Sequence, residues 1–210
     1  MVAKLNPSDL QGIALKCTKC KSAKDPCTGD LTETCTAEQQ CMSIYATTVI
    51  DGKSTDSVTR MCGLKTNCNK VGSYSTPSIK YKMSTTCCQN DLCVPKNGNL
   101  PEDFKNPNSH KCPYCKLDAE SCNTGEMLNC SGNENSCLTM VTKRTESTQS
   151  VSVARGCATK TICEFGIKNE SYPTYTNVEL YDCSGGPAVL YRSSTFTFYA
   201  VCVLLIKLFI

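Results

Sequence analysis

The stretch TTCCQNDLCV, Thr85 to Val94, sets two cysteines side by side and a third after four intervening residues. Adjacent cysteines do not readily bond each other, because a disulfide needs separated Cα atoms and converging Cβ vectors. Cys87 and Cys88 must therefore each reach another partner along the chain. Of 210 residues, 19 are cysteine, one is histidine and none is tryptophan. That composition points to a disulfide scaffold and not to a cytosolic enzyme. The net charge of +3 is spread along the chain, without the basic stripe that a nucleic-acid partner requires.

Spacing organises the count. From Cys17, successive cysteines fall at offsets 0, 3, 10, 18, 24, 45, 51, 70, 71 and 76. From Cys112 they fall at 0, 3, 10, 18, 25, 45, 51 and 71, and only Cys202 lies outside both series. Such a repeat means two copies of one small domain. The first is expected over 15–94 and the second over 110–184, after an N-terminal segment 1–14. Between them 95–109, rich in Pro, Asn and Gly, reads as a linker, and 185–210 is a C-terminal spacer and apolar tail. A copy of this size sits at or below the ~80 residues at which an apolar core alone becomes dependable. Bridges closing loops of these lengths contribute roughly 2.5–3.5 kcal/mol each in the chain-entropy model.

The long intervals between cysteines have the pattern of β-hairpins. CMSIYA alternates apolar and polar residues, Asp51-Gly52 offers a tight turn, and SVTRMC returns to Cys62. CLTMVT and SVSVARGC do the same around KRTESTQ. Gly72 to Thr86, with Tyr and Ile residues around a Pro, is predicted as an edge strand. No segment has the length and period of a core helix, so the fold class is all-β, small and disulfide-rich.

An early CxxC, a central CG or GC and a terminal CCxxxxC resemble the lymphocyte-antigen-6/urokinase-receptor superfamily, over about Leu15 to Ser184. The resemblance implies two tandem three-finger domains, each with three hairpins leaving a disulfide-bonded palm. It also implies bridges Cys17–Cys41, Cys20–Cys27, Cys35–Cys62, Cys68–Cys87 and Cys88–Cys93 in the first copy. In the second it implies Cys112–Cys137, Cys115–Cys122, Cys130–Cys157 and Cys163–Cys183, with the last pair of the ten-cysteine plan missing. That shortfall, with RGCATKTICEFG and VELYDC, resembles the two-domain branch of gamma-type phospholipase A2 inhibitors and sodefrin-precursor-like pheromone proteins. The family's usual Asn after the final cysteine is replaced by Val94, which bears on a hydrogen bond within the first palm.

Sharper chemistry fails at each motif. KCPYCK, Lys111 to Lys116, resembles a redox CxxC, but no βαβ pattern surrounds it and the repeat already claims both cysteines. Zinc held by the two CxxC pairs would leave most cysteines unexplained. His110 lies beside the linker, so no Ser-His-Asp or Cys-His arrangement is available. There is no Gly-rich phosphate loop. No catalytic residue, metal ligand or cofactor is assigned, and an enzyme is not expected. Asn169-Glu170-Ser171, in a polar stretch between Cys163 and Cys183 expected as a loop, fits the N-glycosylation pattern, whereas Asn129-Cys130-Ser131 has a bridge cysteine at its centre.

The two ends address location. A disulfide scaffold needs the secretory pathway, yet the segment before Cys17 lacks the ~7–15-residue apolar core of a signal peptide. We expect that core in a mis-assigned first exon upstream. After Cys183, the small residues Ser184, Gly185 and Gly186, a spacer Pro187–Thr195 and the tail FTFYAVCVLLIKLFI fit a GPI-anchor signal. As a helix the tail would span ~22 Å, short of the ~30 Å hydrocarbon core, and Lys207 interrupts it. A wrongly assigned last exon is the alternative. The resemblance implies an extracellular, non-enzymatic protein that occludes a secreted partner such as a phospholipase A2. A secreted signal or pheromone and a GPI-anchored surface receptor or regulator are the alternatives. A membrane would be met only through the lipid anchor.

Overall fold

The computed structural model describes residues 14–23, 25–27, 31–103, 106–115, 122, 125–172 and 174–183. In the first copy the strands are β1 (Lys16–Thr18), β2 (Cys20–Ser22), β3 (Thr32–Thr34), β4 (Gln39–Ile50), β5 (Lys53–Leu64), β6 (Val71–Ser75) and β7 (Ile79–Cys88). In the second they are β8 (Pro107–Pro113), β9 (Met127–Ser131), β10 (Ser136–Thr145), β11 (Gln149–Ala158), β12 (Ile167–Tyr172) and β13 (Tyr175–Asp182). In each copy the second finger has the longest strands, β4–β5 in the first and β10–β11 in the second. At the tip of the β4–β5 hairpin, Asp51 and Gly52 have φ of 48° and 80°. That is the type I′ geometry whose twist matches the flanking strands.

The fingers converge on disulfides whose Cα atoms stand 5.2–6.2 Å apart. Cys87 and Cys88 are consecutive on β7, so their side chains leave opposite faces of the strand. Cys87 joins Cys68 at the base of the third finger, and Cys88 joins Cys93 around a small loop. The remaining bridges are Cys17–Cys41, Cys20–Cys27, Cys35–Cys62, Cys112–Cys137, Cys115–Cys122, Cys130–Cys157 and Cys163–Cys183. In the first palm the chain ends are tied without a side chain from Val94, which is exposed. Lys16 N–H donates to Asp91 Oδ1 at 2.9 Å, and Leu92 N–H donates to the Lys16 carbonyl at 2.7 Å.

The two copies share one sheet. Its strand order is β12-β13-β10-β11-β6-β7-β4-β5-β2, antiparallel throughout. The seam between copies is short: Cys157 pairs with Ser75 and Ala158 with Tyr74. Thr159 N–H then donates to the Ser73 carbonyl at 2.9 Å, and Ser73 N–H donates to Thr159 Oγ1 at 3.1 Å. A side chain at Gly156 would place its Cβ 2.0 Å from the Ser75 carbonyl oxygen, so only glycine admits this approach. Beneath the seam lies a joint core. Met42, Ile44, Ala46, Tyr74, Ile79 and Met83 of the first copy meet Leu138, Met140, Ala154, Ala158, Ile162 and Tyr181 of the second. Each buried Ile or Leu contributes about 1.5–3 kcal/mol, and here that gain is available only when both copies are in place.

Two expectations need correcting. The stretch from Gly72 to Thr86 is interior and not an edge: β7 lies between β4 and β6, and β6 between β7 and β11. Pro77 sits in the turn between β6 and β7, where its missing N–H costs no ladder bond. The alternation in CMSIYA does not become alternate burial, because Gln40 to Ile44 and Ala46 are all buried. Both faces of β4 are covered, Met42 and Ile44 by the joint core and Cys41 by a disulfide cluster. One short helix, α1 (Lys160–Phe165), accompanies the all-β plan and inserts Ile162 into the core. Six residues are too few for a helical period to register in sequence. The stretch expected as a linker also touches the sheet. β8 begins at Pro107, Asp103 pairs with Lys82 at 2.5 Å, and Thr86 Oγ1 donates to the Lys96 carbonyl.

Candidate binding surface

Two surfaces follow from this architecture: the finger tips and a groove inside the curve of the sheet. Six steps separate β12 from β4 in the strand order. At roughly 20–25° of twist per step, the two ends turn roughly 120–150° relative to each other. The third finger of the second copy and the second finger of the first border one groove. This groove has a volume of about 460 Å³ and is bordered by Glu33, Met42, Met61 and Gly63 on one side. Phe165, Lys168, Asn169 and Ser171 border the other. A neighbouring hollow of about 310 Å³ continues along Ile44, Ala46 and Ile79 to Tyr74, Tyr81 and Tyr181.

Tyrosines dominate that second hollow. Tyr74 and Tyr81 stack with centroids 4.9 Å apart, and Tyr181 Oη donates to Glu179 Oε2 at 2.5 Å. Burial, reinforced by Tyr81 and Glu179, pushes the Tyr74 phenol above its ordinary value of 10.0. Burial and the charge of Glu179 do the same to Tyr181. Both phenols stay neutral at any physiological pH. Lys168 pairs with Glu179 at 3.8 Å, and Lys19 with Glu33 at 3.1 Å. The groove thus carries apolar, neutral polar and internally compensated charged groups.

The tips are braced from behind. Thr47 Oγ1 and Tyr45 Oη donate to Asp56 at 2.6 Å and 3.3 Å, and Asp51 N–H donates to the Ser78 carbonyl at 3.2 Å. Ile50, 49 % exposed, offers an apolar contact at the first tip. At the second, Arg144 donates to Glu146 through Nε at 2.9 Å and covers the ring of Tyr175 at 5.0 Å. Val151, 58 % exposed, projects from the same hairpin.

Other residues singled out in the sequence take structural places. Cys115 of KCPYCK is fully buried and bonded to Cys122, and Cys112 to Cys137. Three sulfur-rich clusters lie close enough to hold a metal: Cys17, Cys35 and Cys62; Cys112, Cys130 and Cys157; and His110 with Cys112 and Cys137. Every one of these sulfurs is in a disulfide, which removes the thiolate that zinc requires. His110, on β8, sets Nε2 3.5 Å from Cys137 Sγ. Asn169 is exposed but lies on strand β12 and not in the expected loop, while Asn129 on β9 precedes the fully buried Cys130. Ser184, Gly185, Gly186, Cys202 and the apolar tail lie outside the described residues. Among the described residues no helix is long and apolar enough to cross a membrane.

Two features were not read from the sequence. Arg60 stands 43 residues after Cys17 and Arg155 43 residues after Cys112. Arg60 donates to the Cys27 carbonyl and to Asp25 Oδ1, both at 2.7 Å, and Arg155 donates to the Cys122 carbonyl at 3.2 Å. Each arginine pins the first finger to the second, and its equal offset was the available signal. The other is Glu134, only 7 % exposed, which accepts from Ser73 Oγ at 2.8 Å and from Ser75 Oγ across the seam. Nothing in its sequence neighbourhood marks it.

A sequence model of the u-PAR/Ly-6 domain matches residues 13–96 and again 108–185. Among curated proteins, the phospholipase A2 inhibitor NAI of Notechis ater is 29 % identical over 161 residues, covering 72 % of this chain and 78 % of its own. A phospholipase A2 inhibitor of gamma type from Laticauda semifasciata is 29 % identical over 154 residues, 71 % of this chain and 84 % of its own. The urokinase plasminogen activator surface receptor of Mus musculus is 26 % identical over 185 residues. That match takes in 83 % of this chain but 54 % of the receptor.

Proposed function

Because the chain belongs to the u-PAR/Ly-6 domain family, we propose that it works outside the cell as a non-enzymatic binding protein that occludes a secreted phospholipase A2. The observation that carries this is the shared two-domain extent: the inhibitor relatives align over more than 70 % of both chains. The match takes in only 54 % of the receptor. A rigid platform supports occlusion, since loops held by a fixed scaffold carry variable contacts without loss of the fold. The tips at Asp51–Asp56 and Lys143–Gln149 supply those contacts. Bridges at all nine cysteine pairs fit passage through the secretory pathway. A second reading, attachment to the outer cell surface through Ser184, Gly185 or Gly186, draws on the small-residue, spacer and apolar-tail pattern of the C-terminus.

The test is inhibition of a panel of secreted phospholipases A2 by wild type and by two tip-swapped variants. Asp51–Thr55 and Lys143–Gln149 are replaced with Gly-Ser loops of equal length, and Asp56 is kept because Thr47 and Tyr45 donate to it. Folding should survive while inhibition weakens at least tenfold. Wild-type inhibition by both variants would remove the tips from the mechanism. Absence of inhibition by the unaltered protein would leave the signal or receptor alternatives, and release from cells by a phosphatidylinositol-specific phospholipase C would single out the receptor.

A further inference from the structure

β12 is the last strand of the shared sheet, and among the described residues no strand lies beyond it. The orientation of its groups follows from one bond: Tyr181 N–H donates to the Gly166 carbonyl at 2.7 Å. Antiparallel pairs alternate between bonded and non-bonded, so Lys168 and Glu179 exchange bonds. Asn169 and Ser171, opposite Val178 and Thr176, then turn their N–H and C=O groups outward. These two residues border the 460 Å³ groove together with Lys168. Neighbouring residues of a strand point to opposite faces, so a groove touching both 168 and 169 must run along the edge of β12. On the facing wall Met61, Cys62, Gly63 and Leu64 line it in unbroken succession, so it follows the edge of β5 as well. There the Cys62 N–H is already given to Glu33 Oε1 at 2.5 Å. The open hydrogen-bonding side is β12.

We propose that the groove takes an extended, uncharged segment of a protein partner as a tenth strand, hydrogen-bonded to Asn169 and Ser171. The inference rests on the chain being a binding protein and not on phospholipase A2 being its partner. Asn169 and Ser171, alternate positions of one strand, border the groove together, so an occupant would lie along the edge of β12. Polypeptide is the occupant because only a backbone offers donors and acceptors at the strand repeat. Charge is disfavoured because the two bordering lysines are compensated, Lys19 by Glu33 and Lys168 by Glu179. Met42, Met61 and Phe165 select an apolar side chain on the segment's inner face.

The experiment titrates the full, isotope-labelled chain with a capped Thr-Val-Thr-Val-Thr-Val peptide at millimolar concentration, with no phospholipase present. Amide exchange at Asn169 and Ser171 should slow, with shift changes confined to the groove. Asn169→Pro removes an outward N–H and spares the bonds to β13, a placement that proline tolerates at a sheet edge. It should weaken the peptide at least tenfold. Unchanged exchange at both amides in wild type overturns the proposal, and so does equal peptide affinity in Asn169→Pro. Concentration-dependent dimerisation abolished by Asn169→Pro, without peptide binding, would assign the edge to a second copy and also overturn it. Because the assay holds no enzyme, its failure is separable from failure to inhibit phospholipase A2.

Discussion

Replacing Gly156 with alanine tests whether the two domains are one folding unit. The added Cβ would stand 2.0 Å from the Ser75 carbonyl oxygen, 3.0 Å from its carbon and 3.2 Å from Thr76 Cα, all backbone. Ordinary contact begins near 3.4 Å, so β11 and β6 must part by about 1.4 Å. The 2.9 Å bond from Thr159 to Ser73 would then exceed any hydrogen-bonding distance. The ladder bonds of the Cys157–Ser75 pair would be lost with it. Bonds of this kind contribute about 1 kcal/mol each, and opening the joint core beside Ala158 and Ile162 adds to the loss. The entropic benefit of Gly→Ala in the unfolded chain, about 0.4–1 kcal/mol, offsets only part of this. We expect a net loss of about 3 kcal/mol, read by chemical denaturation with disulfides intact, and a single transition splitting into two. Gly72→Ala is the matched control: its new Cβ meets the movable end of Ile162 at 3.0 Å, which we expect to cost about 1 kcal/mol. A Gly156→Ala protein that loses less than 1 kcal/mol, with Thr159 amide exchange as slow as in wild type, would refute the shared-unit argument.

Arg60→Ala should destabilise by about 2–3 kcal/mol because it strips donors from a buried carbonyl. Arg155→Ala, with a longer bond of 3.2 Å, should cost about 1 kcal/mol; equal losses in parallel denaturation curves would contradict the difference in geometry. Glu134 titrates above the ordinary carboxylate value of 4.5 because burial outweighs its bonds to Ser75 and Ser73 and the charges of Lys80 and Lys82. A raised folded-state value means stability that is full below 4.5 and lost as pH rises through the raised value. Wild type should therefore lose part of its melting temperature from pH 4 towards neutrality, and Glu134→Gln should flatten that component of the curve. Tyr74 and Tyr181, also raised by burial, contribute stability that holds below pH 10 and is lost above it. Ultraviolet titration should show phenolate appearing only with unfolding, and Tyr181→Phe should reduce the alkaline loss.

The cysteine register, with TTCCQNDLCV as its anchor, made two copies of a small all-β scaffold legible without coordinates, because spacing along the chain is a local property and the repeat compares the chain with itself. The Asp51-Gly52 turn was legible for the same reason, since two positive φ angles demand those residue types. The Arg60 and Arg155 clamps were present at one offset, yet an arginine declares its partner only when a carbonyl is brought to it. What tertiary structure alone decided is how the copies meet. Gly156 admits the Ser75 backbone, Glu134 reaches two serines some sixty residues away, and Gly72 to Thr86 becomes interior instead of edge. None of these contacts has a period or spacing, because residues from separate hairpins create them. The groove between β12 and β5 belongs to the same class. It exists because one sheet is built from both copies, and neither copy's sequence encodes a surface that requires the other to form.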